Sequence, residues 1–351
     1  MKRVLVTHAY SAENLGDGLL VAETLELVAS TFAPEQVEVT VLASYPDSFP
    51  PLPGVTYVGS KPGRLGYSGK YLRVLAEIGS FDAIVAVGGG YLRAKTMREA
   101  LKTLLVHGPQ LVASALLAPG RSIYLPQSVG PANFGSRPLF RYLLRRMGTV
   151  FLRDDRSVRE MRLENAVRLA DLAAGRMGDR TGRTDVDDTP VLSVRHVRGS
   201  LSDDVVALAA KLGLYDSYIQ STVRSNDDRP ATAELSYRQI ISRDELLQDG
   251  SAPRVVVAVR LHAALMALAA GHFVVHLAYE RKGFGAFGDL GLEQFVHNVN
   301  AFDVDAVYTQ VRALLTDAAA RMDYEDRIRN SLSGVAQERD TLGQVIRRHA
   351  R

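Results

Sequence analysis

A run of VVVAV at 255–259 leads directly into Arg260-Leu261-His262 and then an Ala/Leu-rich stretch, 263–270. The first run reads as a buried strand and the last as a helix. An Arg and a His at such a junction cost desolvation energy unless they bind something. The helix N-terminus adds partial positive charge there. Arg260 suits a carboxylate or phosphate, and His262 suits proton transfer. A lone histidine is more often structural, but the adjacent Arg and the strand-end position favour function. Arg195 ends another apolar run, 191–194, where its guanidinium fork would suit an anion. Taken alone it reads equally as a surface Arg. Lys282, one of seven lysines, follows the run 273–278 and fits either a ligand contact or a solvated basic turn.

Four further loops follow apolar runs. Asn14-Leu15-Gly16-Asp17-Gly18 precedes a helical pattern. Free N–H groups at a helix start can hold a polar ligand, and Asn14 and Asp17 can equally cap the helix. The spacing is not GxGxxG, so a dinucleotide site has no motif support. Gly88-Gly89-Gly90 follows FDAIVAV. Three glycines suggest backbone packed against a ligand, where a tight strand-to-helix turn would need only one. In Pro126-Gln127-Ser128-Val129-Gly130-Pro131, Gln127 could bond a sugar hydroxyl, or the two prolines could set a rigid turn. In Arg153-Asp154-Asp155-Arg156-Ser157, the spacing Ser157-x-x-Glu160 fits a capping box, and Asp154 is expected to order neighbouring loops.

These loops need a frame. Strands are predicted at 3–7, 37–42, 55–58, 81–87, 122–125 and 150–152, with helices at 19–31 and 136–147. The stretch 175–190 is almost without apolar residues and reads as a linker. Strands then follow at 191–194, 217–220, 254–259 and 273–278, with helices at 202–213, 263–271 and 303–322. The pattern predicts an α/β chain with two Rossmann-like domains, 1–175 and 190–322, and a polar helical tail, 323–351. Two such halves imply an interdomain cleft, with ligands at the carboxyl ends of parallel strands.

Composition narrows the classes. The chain has 351 residues, with 42 Lys+Arg against 39 Asp+Glu, and seven of the 42 are Lys, leaving 35 Arg. With no Cys, disulfides, thiolate metal sites and Cys nucleophiles are excluded. A net charge of +3 is not a nucleic-acid footprint. No apolar run reaches the roughly 20 residues of a membrane span, and no secretory signal is apparent. A cytoplasmic protein, at most peripheral to the inner face of a membrane, is expected. No His/Asp/Glu cluster has metal-ligand spacing.

In this order, NLGD, GGG, PQSVGP, RDDRS, SVR, RLH before an Ala-rich helix, and Tyr279-x-x-Lys282 with Phe287 and Gly291-Leu292 resemble the polysaccharide pyruvyl transferase family. One departure is His272 after Gly271, where the family often has Pro. The resemblance spans about 14–292. It implies a GT-B-like arrangement and a cell-envelope or exopolysaccharide enzyme. That enzyme would move the enolpyruvyl group of phosphoenolpyruvate onto two hydroxyls of a sugar, oligosaccharide or lipid-linked saccharide, forming a pyruvate ketal. Neither metal nor cofactor is needed. Arg195, Arg260, Leu261, His262 and Lys282 would bind phosphoenolpyruvate, with His262 and Arg260 catalytic. Asn14, Asp17, Gly89, Gly90 and Gln127 would bind the acceptor. The alternative is a GT-B glycosyltransferase, with the same arginines on a nucleotide-sugar diphosphate.

Overall fold

The computed structural model describes residues 1–172, 186–222, 227–247, 252–333 and 335–351. The predicted linker therefore lies largely outside the described residues. The chain forms two compact units, Met1–Ala173 with Val335–Arg351, and Ala174–Gly334.

The first unit holds β1 (Lys2–Ala9), β2 (Val37–Ala43), β3 (Val55–Gly59), β4 (Ala83–Ala86), β5 (Gly89–Ala94), β6 (Ser122–Ala132), β7 (Thr149–Leu152) and β8 (Ala166–Arg168). Their order is β3-β2-β1-β4-β6-β7-β8, with β5 also on β6. The second unit holds β9 (Val191–Ser193), β10 (Asp216–Tyr218), β11 (Ile240–Ile241), β12 (Val255–Ala258), β13 (Phe273–Ala278) and β14 (Val296–Asn298), in the order β11-β10-β9-β12-β13-β14. All pairs between these strands are parallel. Fully buried strands such as Val255–Ala258 explain the unbroken apolar runs, because parallel sheets are covered on both faces. In each sheet the winding direction reverses beside the unit's first strand, between β1 and β4 and between β9 and β12. At such switch points the flanking loops diverge and leave room for a ligand at the carboxyl ends.

Several expectations change. The three glycines are not a strand-to-helix turn, because the chain passes Gly88 and continues as β5. A side-chain carbon on Gly88 would lie 2.7 Å from the Pro126 carbonyl oxygen, so the two backbones can approach only with glycine there. Nor is PQSVGP a turn. It continues β6, whose first half pairs with β4 and whose second half pairs with β5, with a register irregularity between Tyr124 and Gln127. The predicted helix 303–322 breaks at Asp317, which caps the next helix, Ala318–Leu332. Residues 323–351 divide between the units. Tyr324 and Ile328 join the second core, whereas Leu342 and Ile346, on the helix Val335–His349, join the first beside Leu27 and Phe32. These few buried apolar positions, spaced at helical intervals in a polar stretch, decide its packing.

Candidate functional site

The order β9-β12-β13 brings three separate sequence segments to one sheet edge. Arg195 lies two residues past β9, Arg260 two past β12, and Lys282 four past β13. Arg260 sits at the N-cap position of helix Leu261–Ala269, with Leu261 buried and His262 half-buried in its first turn. The Nε and Nη2 of Arg260 donate to Asp228 Oδ2 and Oδ1, each at 2.6 Å. Arg195 donates from Nη1 to Tyr279 Oη at 3.0 Å, and its guanidinium lies 5.0 Å from the centre of that ring. Lys282 Nζ is 3.2 Å from Glu280 Oε2.

Asp228 is 1% exposed, and burial pushes its carboxyl above the usual range, opposed by the Arg260 hydrogen bonds and the charges of Arg260 and Arg195. It therefore couples both arginines. Nothing in the sequence singles it out, because it lies in a polar stretch 32 positions before Arg260 and leaves no periodic signal.

His276, on β13, was also missed. Its Nδ1 bonds the Ala258 carbonyl at 2.8 Å, so Nδ1 carries the proton. Burial lowers its pKa to about 4, helped by the Lys282 charge and opposed by the Ala258 bond. Its Nε2 faces Gly283, where a side-chain carbon would come within 2.4 Å. Glycine thus lets the start of helix Arg281–Gly288, which carries Lys282, settle on the imidazole. The visible signal was Lys282-Gly283, but its partner is a strand residue with no motif.

In the first unit the expected acceptor residues gather around β1, β4, β5 and β6. Asn14 occupies the N-cap position of helix Leu15–Phe32 without a side-chain cap bond, and its amide instead donates to Asp17 Oδ2 at 2.5 Å. Gly89 is the register partner of Gln127 and has φ +138°. Gln127 is fully buried, with no hydrogen-bond partner for either amide atom among the described residues. A side-chain carbon on Gly90 would lie 3.6 Å from Arg153 Nη2. Arg153 donates from Nε to Ser128 Oγ at 3.0 Å and forms an ion pair with Asp171.

The capping-box expectation is corrected. Asp154, not Ser157, caps helix Asp155–Met161, accepting from the Ser157 N–H at 2.8 Å. Burial would raise the Asp154 pKa, but hydrogen bonds from Ser128 and Ser157 and the Arg153 charge outweigh it and hold the carboxyl below its ordinary value. Ser157 Oγ is thereby free to accept the Val129 N–H at 2.9 Å, which ties the helix to β6.

A buried neutral cluster completes this edge. His8 has φ 68°, an unusual conformation for a non-glycine residue. Its Nδ1 is 3.2 Å from His107 Nδ1, its Nε2 is 2.9 Å from Tyr124 Oη, and its ring stacks on Tyr91 at 4.5 Å. Burial, and then the neighbouring His107, depress His8 far below its ordinary pKa; burial, and then the Lys102 charge, bring His107 to about 3. Both rings are neutral at pH 7. Among the described residues no group of three or more His, Asp or Glu is arranged to hold a metal.

The chain matches the family described as polysaccharide pyruvyl transferase over residues 14–281. No curated protein matches it in sequence. Among solved structures it is similar to HepE of Anabaena in complex with UDP, at 12% identity and TM-score 0.56, covering 98% of this chain and 100% of that one. It is also similar to an α-glucosyltransferase in complex with UDP and DNA, at 11% identity and TM-score 0.55, covering 98% and 100%. A third is the α,α-trehalose 6-phosphate synthase of Burkholderia multivorans, at 14% identity and TM-score 0.51, covering 99% of both chains. At these identities the likeness speaks to the fold, two Rossmann-like domains of the GT-B type. With three quarters of its length matched to one family and a GT-B fold beneath it, this chain belongs to the polysaccharide pyruvyl transferase family, transferases of polysaccharide biosynthesis.

Proposed function

We propose that this protein transfers the enolpyruvyl group of phosphoenolpyruvate to a sugar hydroxyl pair, forming a pyruvate ketal and releasing phosphate. The observation that carries this reading is the convergence of Arg195, Arg260 and Lys282 at the carboxyl ends of β9, β12 and β13, two of which flank a switch point. Phosphoenolpyruvate is a small dense anion with a carboxylate and a phosphate, and guanidinium forks match both groups. Asp228 holds Arg260 in orientation, and Tyr279 holds Arg195.

His262 is the proton-transfer group. The first acceptor oxygen bonds to C2 of phosphoenolpyruvate while C3 takes a proton and becomes a methyl group. The second acceptor oxygen then replaces phosphate at C2, and its proton leaves with the phosphate. His262 serves as the acid toward C3 or as the base toward the acceptor hydroxyl. The arginines bind the anion through both steps and take up the phosphate charge as it departs. Asn14, Asp17, Gly89, Gly90 and Gln127 contribute to acceptor binding, which calls for hydrogen-bonding groups and close backbone approach. The acceptor is a saccharide of cell-envelope or exopolysaccharide assembly, and the reaction is cytoplasmic.

A phosphate-release assay with phosphoenolpyruvate and a panel of glycosides and lipid-linked sugars tests the reading. Acceptor-dependent phosphate release supports it. Nucleotide release from a sugar nucleotide, with no turnover of phosphoenolpyruvate, would instead make the protein a glycosyltransferase. That second reading is worth testing because proteins of the same fold have been solved with UDP.

A further inference from the structure

Helix Met97–Val106 is amphipathic in the reverse sense. Met97, Leu101, Leu104 and Leu105, spaced as one helical stripe, are all exposed, while it buries only Thr103 and Val106. The next helix, Gly108–Leu117, packs against it and against helices Gly69–Ala76 and Ser136–Leu144. It buries Leu111 and Ala115 and leaves Val112 and Leu116 exposed. With Leu117, seven exposed large apolar residues thus lie on two consecutive helices that pack together.

The same helices and their loops carry the chain's charge imbalance. Segments 60–76, 91–117 and 133–146 hold twelve Lys and Arg and a single acid, Glu99, leaving 30 Lys and Arg against 38 acids elsewhere. These segments are therefore +11 and the remainder is −8, which the total of +3 conceals. An apolar stripe flanked by cations is the composition of a helix lying in a lipid headgroup layer. Spanning is a different matter. No single described helix is long and apolar enough to cross a membrane, and the helices Met97–Val106 and Gly108–Leu117 are bent by 51° to each other. Each has ten residues, or about 15 Å, half the hydrocarbon thickness of about 30 Å, and the second is anchored in the core.

We propose that this face docks on an anionic lipid bilayer, with the apolar stripe in the interface and the cations on headgroup phosphates. A second copy of this chain fits less well, since it would set two strongly cationic faces against each other. The proposal does not depend on the pyruvyl donor. It bears on the acceptor, because a docked enzyme would meet lipid-linked saccharides at the surface that holds them.

Full-length protein is sedimented with vesicles of phosphatidylcholine alone and of phosphatidylcholine with an equal part of phosphatidylglycerol. Binding to the anionic vesicles, weakened by salt, is expected. Arg98→Glu with Arg145→Glu should lower partitioning by at least about tenfold, at about 1 kcal/mol per basic residue near such a surface. Leu101→Gln with Leu104→Gln should lower it by a similar factor. All four positions are exposed, and thermal melts check that both variants fold. Turnover of a soluble glycoside should be unchanged in both, so failure here leaves the pyruvyl reading untouched. Equal binding to neutral vesicles, no binding to anionic vesicles at low salt, or a dimer in sedimentation velocity that Leu101→Gln with Leu104→Gln dissolves would each overturn the proposal.

Discussion

The two sheet edges are built from opposite materials. Around β1, β4 and β6 the groups are mostly neutral, with close backbone at Gly88 and Gly89 and buried side chains at Gln127, His8, His107 and Tyr124, beside the Arg153–Asp171 ion pair. Around β9, β12 and β13 they are charged and paired, with Arg260 on Asp228, Arg195 on Tyr279 and Lys282 on Glu280. The topology beneath is nearly the same, 3-2-1-4 in chain order at each switch point. The fold therefore supplies two equivalent positions, and side-chain chemistry distinguishes them. A neutral edge with close backbone suits a polyol, and a cationic edge suits a compact anion.

The sharpest way to break this division is at His262. His262→Gln should lower turnover by about 10²–10⁴, the usual worth of a positioned acid or base, with little change in phosphoenolpyruvate KM. An unchanged kcat would remove His262 from the chemistry.

Arg260 tests the charged edge as structure as well as site. Arg260→Ala leaves Asp228 buried without its bidentate partner, an expected loss of about 3–5 kcal/mol in chemical denaturation. Adding Asp228→Asn should recover part of that stability while donor affinity stays lost. If the double variant instead regains donor affinity, the arginine acts only on Asp228.

Acid separates the units by their histidines. His107 titrates at about 3 and His276 at about 4 in the folded chain, against about 6.5 when unfolded. Between those values the unfolded chain binds more protons, so stability is full above about pH 6.5 and falls as pH drops below it. By pH 4 each of these rings should remove about 3 kcal/mol, His276 from the second unit and His107 from the first, where His107 continues to titrate below pH 4 and the depressed His8 adds to the loss. Replacing His276 with Gln should flatten the acid limb of the second unit alone, followed by denaturation with a probe in each unit. An unchanged profile would contradict its burial as a neutral ring.

The smallest expected effect is at Gly88. Gly88→Ala must move the Pro126 backbone, at about 1–3 kcal/mol, and should raise acceptor KM more than donor KM. Equal changes in both would argue against an acceptor role for this edge.

Arg195, Arg260 and His262 were legible in the sequence because each ends or follows an apolar run, and that position in a parallel strand points at the switch-point edge. Asp228 and His276 were not, since one lies in a polar loop and the other inside a strand, and only pairing across the sheet reveals their partners. GGG and PQSVGP stood out for composition, which left a ligand contact and a turn both open. Local turn propensity pointed to turns, but the pairing of β5 with β6 extended both segments as strands.

Periodicity and strand-end residues, which are local properties, determined the α/β class, the parallel sheets and the arginines worth testing. Strand order, the Asp228–Arg260 pair and the Gly283–His276 packing are long-range, and only the tertiary structure decided them. The same holds for the basic surface. Its twelve cations can be counted along the chain, but the three segments that carry them adjoin only because their helices all pack on helix Gly108–Leu117.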